Sequence, residues 1–528
     1  MAVTGGWKIA IAACLAIGTA FGGAWLMRPA PVYSPRTMAK IGRVGERFQS
    51  YNIEMVEVTG GRFWKPYASR NRSLAKSSSG LPGGVDPSRY EYRPPVDLSD
   101  PRLRKLAAAL GPAYVRISGT WANATYFSDS DAAPAAPPPG YIGVLTRPRW
   151  KGVVDFAKAA DARIMTSFAV STGARNADGV WQPDGARRLI DYTHSLGSEI
   201  AAVEFMNEPD LVDMTGAPKG YDAEAYGRDF EIFRRLIRTA SPNTLIAGPG
   251  SIAENGIVPW LMRFNGTNMM PSGDTLKASQ ERLDVFSYHH YGAMSRRCIK
   301  SGIGGTDLPS ALSNGWLATT DSSASAYEAL RDKYAPGAPL WLTETGEAAC
   351  GGNPWASTFA DTFRYLDQLG RLARRGVQIV MHNTLAASDY GLLNETDHRP
   401  RPDYWAALLW HDFMGVTVLD PGASPPRTIH LYAHCLRGVR GGVALLAINL
   451  DPSATQSLNL DTKAERFTLA ARTLTSPDVA LNGAELILGK DDAIPQFKGK
   501  PVAMGPVRLP PASITFLTIA GARNAACR

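Results

Sequence analysis

VEFMNEPD, residues Val203–Asp210, decides how the rest of the chain is read. Ala201–Met206 is an apolar run interrupted by Glu204, as expected of a strand covered on both faces. Pro209 lacks an N–H and cannot continue a central strand, so the strand stops before it. Glu208 is thereby placed at a strand's C-terminal end. In a (β/α)8 barrel, catalytic groups project from that end. Asn207-Glu208-Pro209 alone is a short signal, and its weight comes from what surrounds it.

Outward from this stretch, strand and helix patterns alternate about eight times over roughly 350 residues, the pattern of a closed α/β barrel. The expected strands are 48–57, 113–118, 163–170, 201–206, 244–247, 283–288, 339–343 and 377–381. Helices are expected between them, among them 150–162, 187–196, 221–240, 324–334 and 358–375, with 404–413 closing the barrel. After Gly415 helical periodicity disappears. Short strands at 428–434, 442–449, 456–460, 470–475 and 513–519 predict an all-β sandwich. The fold class is therefore a TIM barrel followed by a β-sandwich. Expected boundaries are 1–30 for a signal or anchor, 31–43 for a tether, 44–414 for the barrel and 415–528 for the sandwich.

Two segments stand out from this alternation. Residues 58–99 are long for a connection inside a domain, which points to a functional role at the barrel mouth. Residues 132–140 are rich in Pro and Ala and read as an extended loop.

The chain has 528 residues and a formal charge of +8, with no dense block of Lys and Arg. Nucleic-acid binding is not indicated; a solvated basic surface accounts for the charge. Lys8 precedes the uncharged run Ile9–Met27, long enough to span a bilayer. It predicts export, with the product membrane-anchored, periplasmic or secreted. Ile11-Ala12-Ala13-Cys14 faintly resembles a lipobox. Beyond this segment lie Cys298, Cys350, Cys435 and Cys527. In an exported chain they predict two disulfides, with three pairings open. A Cys298–Cys350 bridge would brace the barrel rim and leave Cys435 with Cys527. The spacing has no metal-site pattern, and no Walker loop or dinucleotide fingerprint is present, so no metal or organic cofactor is expected.

The chemistry is carried by carboxylates. Glu208 ends strand four and Glu344 ends strand seven. A retaining glycosidase needs such a pair about 5–5.5 Å apart, one as acid/base and one as nucleophile. Asn207 beside Glu208 suits the acid/base strand, because its amide can hold a sugar hydroxyl as the transition state develops. Glu344 is then the nucleophile, and Glu347, three residues beyond the tip, reads as a loop surface carboxylate. His289, His290 and Tyr291 end strand six, where an imidazole or hydroxyl can hydrogen-bond the nucleophile.

These stretches resemble the heparanase/β-glucuronidase family of retaining glycosidases, glycoside hydrolase family 79. The resemblance rests on VGERFQSYNIE (44–54), PRLRKLAAALGPAYVRISGT (101–120), Asn207-Glu208-Pro209, WLTETGEAACGG (341–352), HLYAHC (430–435) and NAAC (524–527). It implies Glu208 as acid/base, Glu344 as nucleophile and a Cys435–Cys527 disulfide. It also implies a substrate pocket containing Glu54, Thr120, Asn207, His290, Tyr291, Asn383 and Tyr390. The amides of Gly351 and Gly352, together with Tyr390, are implied to receive a uronate carboxylate, although this loop carries one residue more than the family's. Mammalian heparanases have a long excised segment where only 132–140 stands here, so proteolytic activation is not implied. The polar residues that contact the next sugar are not evident in SIAENG (251–256). The implied partner is a uronic-acid-containing glycan and the implied activity is cleavage of β-linked glucuronic acid. Two alternatives stay open: a related glycosidase on neutral β-glycosides, and a catalytically silent, membrane-attached glycan-binding protein.

Overall fold

A computed structural model describes residues 31–69, 81–82, 86–252, 254, 256–264, 266–280, 283–299 and 305–528. The apolar run Ile9–Met27 and Cys14 lie outside the described residues. Among the described residues, no helix is long and apolar enough to cross a membrane.

Eight parallel strands close into a barrel: β1 (Gln49–Glu54), β2 (Ala113–Ser118), β3 (Ala162–Ser167), β4 (Ile200–Glu204), β5 (Leu245–Ser251), β6 (Val285–Tyr291), β7 (Leu340–Gly346) and β8 (Ile379–His382). Each pairs with the next, and β8 returns to β1. Helices cover the outside. That before β2, Pro101–Ala108, starts where Asp100 accepts a bond from the Leu103 amide at 2.7 Å and Pro101 supplies a preset φ.

Period-two alternation sorts the barrel's side chains. On β2, Val115 and Ile117 face the helices, while Tyr114 faces inward and packs against Trp341 of β7. Tyr114, Met165, Ala202, Val285, Trp341 and Met381 form an apolar floor. One step up, the inward residues turn polar: Arg116, Glu204, Ser287 and Thr343. The register shifts between Tyr288 and His289 on β6, where the β7 partner jumps from Leu342 to Glu344. This extra residue turns consecutive Thr343 and Glu344 both toward the barrel axis.

The β-rich region is built from both sides of the barrel in sequence. The stretch 31–43, expected to be a tether, is part of it. Lys40–Arg43 pairs antiparallel with β9 (Met414–Leu419), and Val32–Tyr33 pairs parallel with β12 (Gln456–Leu460). Pro and polar residues suggested a tether, but Tyr33 and Met38 bury their side chains in the sandwich core. Asn524 ties this segment down by donating to the carbonyls of Pro35 and Met38. Strands β10 (Ile429–Leu436) and β11 (Val443–Asn449) lie in the larger sheet with β13 (Ala464–Ala470) and β15 (Ser513–Ile519). The strand expected at 470–475 lies earlier, at β13. A smaller sheet of Val32–Tyr33, β12 and β14 (Gly505–Leu509) covers one face. On β11, Val443, Leu445 and Ala447 point to that smaller sheet, and Ala444, Leu446 and Ile448 to the core shared with the barrel. The sandwich is therefore fused to the barrel wall. Cys435 and Cys527 are bonded within it.

The long stretch after β1 contributes regular structure to the rim. Glu54 caps a short helix, Met55–Thr59, and Gly61–Trp64 then pairs antiparallel with Tyr90–Arg93. This hairpin lies on the rim. Trp64 stacks on Tyr90 at 4.5 Å, and Arg93 pairs with Glu395 of the loop after β8. Tyr67 meets Ser295 of the loop after β6, their hydroxyls 2.7 Å apart.

Candidate active site

β4 ends at Glu204, and the chain bends through Phe205, Met206 and Asn207 before Glu208. Glu208 has φ +46, an uncommon backbone for a side-chain-bearing residue and one that clusters at functional sites. The bend is held by a pair of reciprocal bonds: the Asn207 amide donates to Asn123 Oδ1 and Asn123 Nδ2 donates to the Asn207 carbonyl, both at 2.8 Å. Glu208 and Glu344 are 7 % and 6 % exposed, so both carboxylates are largely withdrawn from solvent. One carboxylate oxygen of each and a ring nitrogen of His289 all lie within 4.8 Å of one another.

Arg116 organises both ends from below. Its Nη1 donates to Glu344 Oε2 at 2.9 Å, its Nε to Glu204 Oε2 at 3.0 Å and its Nη2 to Asn207 Oδ1 at 2.8 Å. The last bond orients the Asn207 amide, leaving its Nδ2 to donate. Glu204 also accepts from Ser287 and Thr343 on Oε1. Burial alone would raise the Glu204 pKa. Arg116 first, and then the Ser287 hydroxyl, outweigh burial and hold it below the usual carboxylate range. Glu344 accepts a second bond on Oε1, from the Tyr291 hydroxyl at 2.8 Å.

Glu208 has different company. His289 Nδ1 lies 3.0 Å from Glu208 Oε1, and His289 Nε2 lies 3.3 Å from Arg116 Nη2. A guanidinium only donates, so Nε2 accepts and Nδ1–H donates to Glu208. Burial pushes the His289 pKa down to about 4, consistent with this neutral tautomer. Burial pushes the Glu208 pKa up to about 7, against the pull of Arg116 and an Asn207 hydrogen bond and with the help of Glu204.

On the far side of Glu344, Asn383 Nδ2 lies 3.0 Å from Tyr291 Oη and 3.1 Å from both Tyr390 Oη and Glu54 Oε1. Burial first, and then the neighbouring Glu344, push the Glu54 carboxyl well above the ordinary range. Gly119, at the tip of β2, has φ +88, and a Cβ there would stand 1.5 Å from Glu54 Oε2. Glycine is what lets this tip lie against the Glu54 carboxyl. Thr120 follows it and opens a 3-10 turn, half-buried.

With this geometry in view, the comparisons are specific. The profile of glycosyl hydrolase family 79, N-terminal domain, matches residues 96–370, more than half of the chain. The chain belongs to this family. It is 28% identical to heparanase-like protein 1 of Arabidopsis thaliana over 67% of this chain and 65% of that protein. It is also 28% identical to bovine (Bos taurus) heparanase, over 81% of this chain and 86% of that one. The chain thus spans slightly less than two thirds of the Arabidopsis protein. Among solved structures, a GH51 arabinofuranosidase from Xanthomonas axonopodis pv. citri superposes with a TM-score of 0.59 at 16% identity, covering 90% of this chain and 97% of that one. That likeness is one of fold.

Within this family 79 framework, three expectations need correction. His290 does not face the carboxylates. It alternates with His289 and Tyr291 along β6, so its ring points into the helix layer, where Nδ1 meets Ser323 Oγ at 2.8 Å. The Gly352 amide is engaged in its own turn, donating to the Ala348 carbonyl at 3.2 Å. It is not available for a ligand, because the loop folds back tightly right after Glu347. Glu347 itself is fully buried rather than on the surface. It accepts from the Asn353 amide and side chain, each at 2.8 Å, and so clamps that turn. The rim is further braced by the Cys298–Cys350 disulfide.

Sequence reading overlooked Arg116 and Glu204. Their signal was present: a charged residue at an inward position of an otherwise apolar barrel strand needs a buried partner. The Glu208, His289 and Glu344 donor atoms are spaced as cation ligands would be. The Arg116 guanidinium, bonded to Glu344 and beside His289, already supplies the positive charge at that point.

Proposed function

We propose that this family 79 member is a retaining glycosidase that removes β-linked glucuronic acid, with Glu208 as acid/base and Glu344 as nucleophile. The observation that carries the reading is the carboxylate pair. One oxygen of each carboxyl within 4.8 Å of the other favours the close pair of a retaining enzyme, about 5–5.5 Å apart, over the separation of about 6.5–9.5 Å at which an inverting enzyme places its water. Glu344, gripped by Arg116 and Tyr291, has its oxygens fixed for attack on the anomeric carbon. Glu208 accepts from His289 on Oε1, so the proton of its acid form sits on Oε2 and is delivered from there to the leaving oxygen. With its pKa raised to about 7, about half of it carries that proton at neutral pH, far more than an ordinary carboxyl would. Once the glycosyl ester forms, the departed aglycone makes way for water, and the Glu208 carboxylate takes its proton.

Family membership supports the uronate preference. So does the cluster of Asn383, Tyr291 and Tyr390 beside Glu344, in which Tyr390 accepts from Asn383 and keeps its own hydroxyl hydrogen to donate. The hairpin over the rim and the low exposure of both glutamates favour removal of a terminal sugar over cleavage within a chain. A second reading, action on neutral β-glycosides, gains weight from the engaged Gly352 amide. Two chromogenic substrates decide between them, a β-D-glucuronide and the matched β-D-glucoside, with the chain lacking residues 1–30. Cleavage of the glucuronide in strong preference to the glucoside is the expected result. The reverse preference would sink the uronate reading while sparing the two glutamates.

A further inference from the structure

The pocket that a uronate would enter is lined with acids. Glu54, Glu208 and Glu344 face it, and Arg116 is already committed to Glu204 and Glu344. A bound carboxylate needs a cation that these acids do not use up. One stands at the rim. Arg297, from the loop after β6, has a side chain only 8 % exposed. Its Nη2 donates to Asp389 Oδ2, and its guanidinium lies over the Tyr67 ring, 4.3 Å from the centroid. Arg401 donates to the Asp389 backbone carbonyl, and its charge also acts on the Asp389 carboxylate.

The other half of the Arg297 fork is what draws notice. Nη1 is buried and, among the described residues, has no hydrogen-bond partner. A buried, unpartnered donor on a charged group costs several kcal/mol in general, unless a partner arrives from outside. Its position is informative. A Cβ on Gly351 would stand 2.6 Å from Arg297 Nη1 and 2.6 Å from Trp64 Cγ. Nη1 is therefore packed directly against the glycine at the turn of the β7 loop, on the Tyr390 side of the rim. Gly352 packs on Tyr390 itself, where a Cβ would lie 3.3 Å from the ring.

We propose that Arg297 Nη1 is the ionic receptor for the substrate's uronate carboxylate, beside Gly351 and Tyr390, with Asp389 holding the guanidinium in place. This rests on the uronate reading and replaces the engaged Gly352 amide with a charged donor. Trp64 and Tyr67 wall the guanidinium off from water, which strengthens its bond to a carboxylate. Arg suits the role because its rigid fork bonds one carboxylate with Nη2 and presents Nη1 to another. Arg297 is a specificity residue. It distinguishes C6 as carboxylate from C6 as hydroxymethyl and takes no part in bond breaking.

The test is the ratio of kcat/KM for a β-D-glucuronide to that for the matching β-D-glucuronamide, which keeps the shape and loses the charge. In Arg297→Gln this ratio should fall by about 100-fold, as when one member of a buried charged pair is removed. Arg297→Lys should fall between the two, a point charge without the fork. A general disturbance of the rim lowers both substrates together and leaves the ratio where it was, which would overturn the assignment. If the wild-type enzyme itself prefers the glucoside to the glucuronide, the parent reading fails instead, so the two failures are separable. Should neither variant fold by thermal melting, glucuronate soaked into wild-type crystals gives the answer. A carboxylate oxygen within hydrogen-bonding distance of Nη1 supports the proposal, and one held elsewhere in the pocket refutes it.

Discussion

The tips of β4 and β7 present the same residue type at nearly the same burial, with one carboxylate oxygen of each within 4.8 Å of the other. Their surroundings differ. Glu344 receives the Arg116 guanidinium on one oxygen and the Tyr291 hydroxyl on the other. Glu208 has only uncharged donors, neutral His289 and the Asn207 amide, and burial lifts its pKa to about 7. The glutamates sit on one polar floor and are told apart by a single guanidinium that reaches toward one and not the other. In the proposed mechanism, the division of labour between these two chemically identical carboxyls follows from Arg116, supplied by β2, a strand that carries neither glutamate.

That contrast predicts unequal losses. Glu344→Gln removes the nucleophile and should lower kcat by roughly 10⁴-fold or more on any substrate, as loss of a covalent catalyst does. Glu208→Gln removes a proton donor and should cost about 10²–10⁴-fold with an ordinary leaving group. With a highly acidic aryl leaving group, which needs no proton, the first step of Glu208→Gln should recover and added azide should speed the second. Equal, leaving-group-independent losses in both variants would erase the assigned difference. The next expected effect is on stability. Arg116→Met strands Glu204 and Glu344 in a buried layer and should destabilise the fold by about 3–5 kcal/mol, read by denaturant unfolding. Arg116→Met with Glu204→Gln should recover part of that loss. No recovery would mean that Arg116 acts mainly by filling space.

The contrast between the two tips was half legible in the sequence. Period-two strands and the stop imposed by Pro209 were enough to put Glu208 and Glu344 at the barrel mouth, because alternation and helix periodicity are local. His290 shows where that stops. Its neighbours His289 and Tyr291 face the pocket, and only the pleat says which of three consecutive polar residues faces away. The β7 bulge that turns Glu344 inward after Thr343 depends on pairing with β6, a register no local pattern records. Residues 31–43 look like a tether until β9 and β12, hundreds of residues later, supply their partners. Arg297 was invisible for the same reason: its partners Asp389, Tyr67 and Gly351 come from three different loops.

The smallest predicted effect is also the sharpest on the Glu208 side. The acid must carry its proton in the free enzyme, so kcat/KM should fall as pH rises through about 7, where Glu208 deprotonates. His289 is not the source of this limb. Its own pKa is held near 4 by burial, so it stays neutral across the range. Its Nδ1–H bond favours the Glu208 carboxylate over the acid, which sets the sign of the response to its removal. His289→Phe should move the basic limb to higher pH by about one unit, the size of a hydrogen bond to a charged group. The limb should vanish in Glu208→Gln with a highly acidic leaving group. A limb that persists there belongs to another group, and Glu208 would then no longer be the proton donor that separates the β4 tip from the β7 tip.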